Sequence, residues 1–212
     1  WKKHFFSKNI SNLPDYKKLE KDLTSALENR ENIPNPTSDS DQIFISHEGL
    51  ILEYEQVFTR IDTTCGGYYD TSTHLPWIGN RTKQPEGAHV EFFRGIGNPI
   101  GLKIGPYCKI DDLLTVIKKI NPNNENDRLI LIIRMGYDRI NKELKPLIHK
   151  IQDENLCAIF MCDPMHGNTF VHKNYKVRSF DHIVSEINSF IKICREENVT
   201  PGGIHLEITA EN

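Results

Sequence analysis

Apolar residues recur along this chain with two alternating periods. Solid apolar runs of strand length occur at Ile43-Phe-Ile45, Pro99 to Gly105, Arg128 to Gly136 and Cys157 to Cys162, each followed by turn residues. Unbroken runs of that kind mark strands covered on both faces, as in a parallel sheet. Between them the spacing changes to three and four, which predicts amphipathic helices. Helices are expected through Tyr16, Leu19, Leu23 and Leu27, through Leu50, Leu52, Tyr54, Val57 and Phe58, and over 87–96, 110–120 and 138–152. A last helix over 180–197 should turn Ile183, Ile187, Phe190, Ile191 and Cys194 inward. Further strands are expected between Gly66 and Thr82 and over 202–209, and the proline-dense stretch 32–41 reads as loop. Strands alternating with helices predict parallel βαβ units, here in one α/β domain over 1–212.

The predicted strands share a second property: each finishes in a chemically capable residue. His47 and Glu48, Arg81, Lys103, Arg134, Asp163 and His166, and His205 and Glu207 fall at successive strand ends. That end is where α/β barrels and open α/β sheets place ligands and catalysts. Any one of these residues has a plainer explanation: Asp163 can cap a helix, and Lys103 can snorkel from a core edge. As a series they suggest one mouth. Three cations converging there suit a small, doubly anionic ligand bearing phosphate and carboxylate groups. His166 and Glu207 beside them supply half of a divalent-metal site. Gly95-Ile-Gly97-Asn-Pro-Ile-Gly101 imitates a dinucleotide loop, but it precedes a strand and Pro99 blocks a helix there.

Composition narrows the partners. With 212 residues, 38% hydrophobic and 26% charged, the chain reads as soluble and globular with one sizeable core. A net charge of -3 gives no electrostatic case for a nucleic acid or membrane partner. Five scattered cysteines (65, 108, 157, 162 and 194) form no CxxC pair and read as reduced thiols of a cytoplasmic protein. No run reaches transmembrane length, and Trp1-Lys-Lys-His-Phe-Phe lacks a signal peptide's apolar core. The absence of an initiator Met suggests a piece of something longer.

A set of short motifs then resembles one family. Ser46-His-Glu48 with Tyr54-Glu55, Trp77-Ile-Gly-Asn-Arg81-Thr, Gly87-Ala-His-Val and Asn98-Pro-Ile-Gly-Leu-Lys103 come first. Arg134-Met-Gly136, Cys162-Asp-Pro-Met-His-Gly-Asn-Thr169 and Gly202-Gly-Ile-His-Leu-Glu-Ile-Thr209 follow in order. Together they resemble the class II (plant-type) 3-deoxy-D-arabino-heptulosonate 7-phosphate (DAHP) synthases over residues 43–212, with a looser fit from Trp1 to Arg30.

The resemblance implies a (β/α)8 TIM barrel, incomplete in this chain, which would hold strands three to eight without the first two strands and the last helix. It implies the first step of the shikimate pathway, in which phosphoenolpyruvate condenses with erythrose 4-phosphate and phosphate is released. It also implies a divalent metal, Mn2+ or Co2+, a cytoplasmic location and a homo-oligomer at full length. Carried onto this sequence, His166 and Glu207 would be metal ligands. Asn80, Arg81, Lys103 and Arg134 would hold phosphoenolpyruvate, with Lys103, Arg134 and His166 catalytic, and Glu48 and Asp163 would line the sugar-phosphate side. Two departures stand out. Asn80 occupies a position where the family carries an acid. The family's other two metal ligands, a cysteine on the first strand and an aspartate after the last, and its second-strand basic loop have no matching motif here. A non-catalytic remnant or subunit that binds phosphorylated ligands or a partner chain is the alternative reading.

Overall fold

The computed structural model describes residues 43–64 and 66–207. The helix expected near Tyr16–Leu27, the loop 32–41, Cys65 and the end of the 202–209 strand lie outside the described residues. All that follows concerns the unit Phe44–Asn212.

Its elements run β1 (Ser46–Glu48), α1 (Leu52–Phe58), β2 (Thr59–Ile61), β3 (Tyr68–Asp70), β4 (Leu75–Ile78), α2 (Ala88–Arg94) and β5 (Ile100–Ile104). Then come α3 (Ile110–Ile120), β6 (Leu129–Ile133), α4 (Ile140–Asp153), β7 (Ile159–Cys162), β8 (Thr169–His172), β9 (Tyr175–Arg178), α5 (Phe180–Glu196) and β10 (Pro201–Ile204). Six strands form one sheet in the order β1-β4-β5-β6-β7-β10, with every pairing parallel. Each of these strands except β1 follows a helix or the β2–β3 ribbon, as βαβ connections require. Among the described residues, β1 and β10 pair on one side only.

The central strands explain their own sequences. All five residues of β5 and of β6 are buried, so both faces are covered and no polar alternation survives. In α3, Leu113, Val116, Ile117 and Ile120 make the buried stripe. Asp111 and Asp112 in its first turn and Lys118 and Lys119 in its last complement the helix dipole. At the amino end of the sheet, the Arg128 guanidinium donates to the carbonyls of Phe93, Ile96, Asn98 and Ile120. One half-buried cation thereby closes the ends of α2 and α3, at the end opposite the strand ends that carry chemistry.

Three expectations are corrected. Ile43-Phe-Ile45 is not a buried strand: the strand is Ser46–Glu48, and Ile43 is 87% exposed. Residues 68–70 do not join the parallel sheet but pair antiparallel with β2 in a separate ribbon. The stretch 169–178, without a predicted element, is a hairpin whose two-residue turn, Lys173-Asn174, has positive φ at both positions.

Candidate active site

The last ladder bonds of the sheet fix the backbone of the residues that matter. Arg134 N donates to Ile104 O at 2.8 Å, Asp163 N to Ile133 O at 2.6 Å and His205 N to Cys162 O at 2.7 Å. Each residue sits one step beyond its strand, still held by the neighbour. Gly136 completes the turn after β6 with φ +88°, and a Cβ there would lie 2.9 Å from Gly167 O. The loops after β6 and β7 pass that closely only because both carry glycine.

At the carboxyl ends of these strands lies a cavity of about 760 Å3. Glu48, Asn80, Arg81, Lys103, Arg134, His166, His205 and Glu207 all line it, together with Trp77 and Lys176. Two sequence candidates do not. His47 points to the other side of β1, where its Nε2 lies 3.0 Å from the buried Glu55 carboxylate. Asp163, expected on the sugar-phosphate side, is fully buried and does not reach the cavity wall.

Asp163 instead organises the wall from behind. Its Oδ2 accepts Lys103 Nζ at 2.6 Å and His166 Nδ1 at 2.7 Å, and its Oδ1 accepts the backbone N–H of Met165 and His166. Burial pushes its carboxyl up, but Lys103 and His166 outweigh that and hold it below the ordinary aspartate value. Burial pulls Lys103 down, and Asp163 offsets only part of the loss. The two directions agree on an ionised aspartate facing a lysine that gives up its proton more readily than a solvated one. Lys103 is no snorkelling side chain: its ammonium is 5.3 Å from the Trp77 ring centre, and His205 meets Trp77 edge-on. Burial, and then the Lys103 charge, also pull the His205 imidazole below its usual range.

Arg134 holds a buried donor that no protein group among the described residues satisfies. Its Nε is buried and has no hydrogen-bond partner, although the residue faces the cavity. A buried guanidinium N–H without an acceptor is costly, and an anion in the cavity would supply one. Asn80, on the same wall, uses its Oδ1 to accept Gly105 N at 2.9 Å. That bond needs only an acceptor, so an amide serves it as well as an acid would.

His166 and Glu207, paired above as metal ligands, lie side by side at the cavity. His166 Nε2 lies 3.5 Å from Glu207 Oε2. Two bonds of about 2.1 Å opening at a near-tetrahedral angle span about that distance. Asp163 holds the other ring nitrogen, which turns Nε2 toward Glu207. Arg178 donates to Met165 O and to Glu207 Oε2, both at 2.9 Å, and so ties the carboxylate to the His166 loop. Among the described residues, no third His, Cys, Asp or Glu joins the pair.

The sequence profile of the class-II DAHP synthetase family matches residues 1–212. The chain belongs to that family. Its curated relatives include the phospho-2-dehydro-3-deoxyheptonate aldolases of Streptomyces coelicolor (40% identical over 172 residues), Mycolicibacterium smegmatis (44% over 177) and Neurospora crassa (42% over 187). These alignments cover 80–81% of this chain but only 38–39% of each relative. The chain therefore spans about two-fifths of the length of the curated relatives it matches.

Within this family member, sequence reasoning missed Lys176, Arg178 and Glu186. The first two ride on the β8–β9 hairpin. Its signal was the Lys173-Asn174 pair between Thr-Phe-Val-His and Tyr-Lys-Val-Arg, two short runs of β-prone residues. Among the described residues, no helix is long and apolar enough to cross a membrane.

Proposed function

We propose that this chain carries the phosphoenolpyruvate-binding part of a DAHP synthase, which condenses phosphoenolpyruvate with erythrose 4-phosphate in aromatic amino acid biosynthesis. The observation that carries the reading is the unpartnered, buried Nε of Arg134, in a cavity that Arg81, Lys103 and Lys176 share. In this reading the parallel sheet is strands three to eight of a (β/α)8 barrel, and residues 1–212 belong to one catalytic domain completed by segments outside this chain. The full-length protein is a cytoplasmic homo-oligomer.

Arg134 and Arg81 bind the donor's phosphate and carboxylate, with Asn80 beside them. The strand-end backbone that fixes Arg134 orients the enol carbon toward the acceptor. Lys103, whose pKa burial pulls below the ordinary lysine value, supplies positive charge to the donor and holds a proton at Nζ that Asp163 stabilises on the ammonium. Glu48 faces the sugar phosphate. Asp163 acts through Lys103 and His166 and does not touch substrate. His166 and Glu207 would hold Mn2+ or Co2+ together with ligands from outside this chain. When bound, such an ion would supply Lewis acidity to the acceptor aldehyde.

The test is phosphate release by the full-length protein given both substrates and Mn2+. Turnover that vanishes in His166→Ala and falls steeply in Arg134→Ala supports the reading. The 212-residue chain alone is expected to show none, because two described ligands hold a divalent ion poorly. Turnover by that chain alone, or full-length protein that binds no phosphoenolpyruvate, would refute it.

A further inference from the structure

Two loops bring the cavity's chemistry up from adjacent strands, Arg134 to Tyr137 after β6 and Asp163 to Asn168 after β7. Glu186, in the middle of α5, lies beneath both and is fully buried. Its Oε1 accepts Met135 N at 3.0 Å and Gly136 N at 2.8 Å, and its Oε2 accepts Asn168 Nδ2 at 2.6 Å. Asn168 closes the ring: its Oδ1 accepts Tyr137 N at 3.0 Å, and its Nδ2 also donates to Pro164 O at 2.8 Å. One carboxylate and one amide thus bind three consecutive peptide N–H groups of the first loop to the second.

The polarity of this ring is fully determined. Position 186 faces three donors and needs two acceptor oxygens. Position 168 accepts once through an oxygen and donates twice through a nitrogen, the set that one amide side chain supplies. An apolar side chain at 186 would have completed the inward stripe of α5 beside Phe190, Ile193 and Cys194. Burial pushes the Glu186 carboxyl up despite its three donors, so the group is held at a cost in charge solvation. The return lies in the loops. Arg134 N is fixed to Ile104 O on one side, and the next two peptide N–H groups are fixed to Glu186 on the other.

We propose that Glu186 is a positioning residue. It sets the Arg134 guanidinium against the Asp163–His166 pair, and so tunes the affinity of the cavity for its anionic donor. The inference rests on the reading of that donor as phosphoenolpyruvate, and the experiment separates the two.

The variants are Glu186→Gln, Glu186→Asp and the pair Glu186→Gln/Asn168→Asp, each in the full-length protein. Gln at 186 turns an amide toward the Asn168 amide, two donors face to face. Asp at 168 then accepts from that Gln and still accepts Tyr137 N, losing only the bond to Pro164. Asp at 186 keeps the charge and withdraws it by one methylene. Phosphoenolpyruvate affinity is measured by titration well below each variant's melting temperature, beside KM for both substrates and kcat. The expected result is binding weakened about tenfold in Glu186→Gln, the scale of one displaced charge-assisted hydrogen bond, and less in Glu186→Asp. KM for phosphoenolpyruvate should rise without a matching rise for the aldehyde substrate, and the double variant should regain part of the affinity. A merely structural Glu186 would lower the melting temperature and leave donor affinity unchanged in the folded protein. Donor affinity within twofold of wild type in folded Glu186→Gln overturns the inference. Failure of the wild-type protein to bind phosphoenolpyruvate overturns the underlying reading instead.

Discussion

Lys103, in the wall of the cavity, meets Asp163 behind it at 2.6 Å, with side chains 7% and 0% exposed. Breaking a buried pair by removing one partner costs about 3–5 kcal/mol, because the other charge is stranded. The two partners are not equivalent here. Asp163→Asn strands the Lys103 ammonium, for which no other acceptor is within hydrogen-bond reach among the described residues. Lys103→Met leaves Asp163 with His166 and two backbone donors. Urea unfolding should therefore show the larger loss for Asp163→Asn. The opposite order would remove Asp163 from the centre of this network.

Acid should reveal the same pair. The Asp163 carboxyl sits below its ordinary value in the folded state, so its contribution is fully present above the unfolded value of about 3.9. It is lost as pH falls through the lower folded value. Wild-type stability should thus fall more steeply below about pH 4 than that of Asp163→Asn, measured as unfolding midpoints across that window.

Glu186 has the opposite sign. Burial raises its carboxyl from 4.5 to about 7. Between those values the folded state retains a proton that the unfolded chain has released, so stability declines as pH rises through the window. The decline attributable to this group is at most about 3 kcal/mol. Glu186→Gln should flatten the difference between unfolding free energies at about pH 5 and about pH 8. A variant with the wild-type slope would show that Glu186 does not titrate there.

What the sequence revealed follows from which physical signals are local. Solid apolar runs found β5 and β6, and the buried lysine within β5, because burial on both faces leaves no ambiguity of period; β7 was found too, although its residues alternate between half-buried and buried. The same rule misplaced β1. Ile43-Phe-Ile45 is apolar but exposed, and an apolar run reports a tendency to burial without saying which backbone pairs. The β8–β9 hairpin escaped because Phe170, Val171 and Tyr175 are all exposed, so its strands show no contrast between faces. Glu186 escaped because a carboxylate inside an amphipathic helix reads as its solvent side. Its partners come from loops about 18 and 50 residues away in sequence, a closeness that only the folded chain creates.

Metal binding separates Asp163's two partnerships. In the full-length protein, Mn2+ affinity can be followed by its electron paramagnetic resonance signal, and Co2+ by visible absorption, with no turnover needed. Asp163 fixes the His166 ring through Nδ1 and so points Nε2 toward Glu207. Losing such an outer partner typically weakens metal binding about 10- to 100-fold, and Asp163→Asn should fall in that range. His166→Ala should go further, since a ligand itself is gone. Lys103→Met should behave differently, because it removes a nearby cation while leaving the Asp163–His166 bond in place. Its affinity for Mn2+ should equal or exceed that of wild type. The stability and metal-binding effects of the two substitutions would then part company: both destabilise the fold, and only one weakens the site. Wild-type Mn2+ affinity in Asp163→Asn would show that His166 is not oriented by this carboxylate.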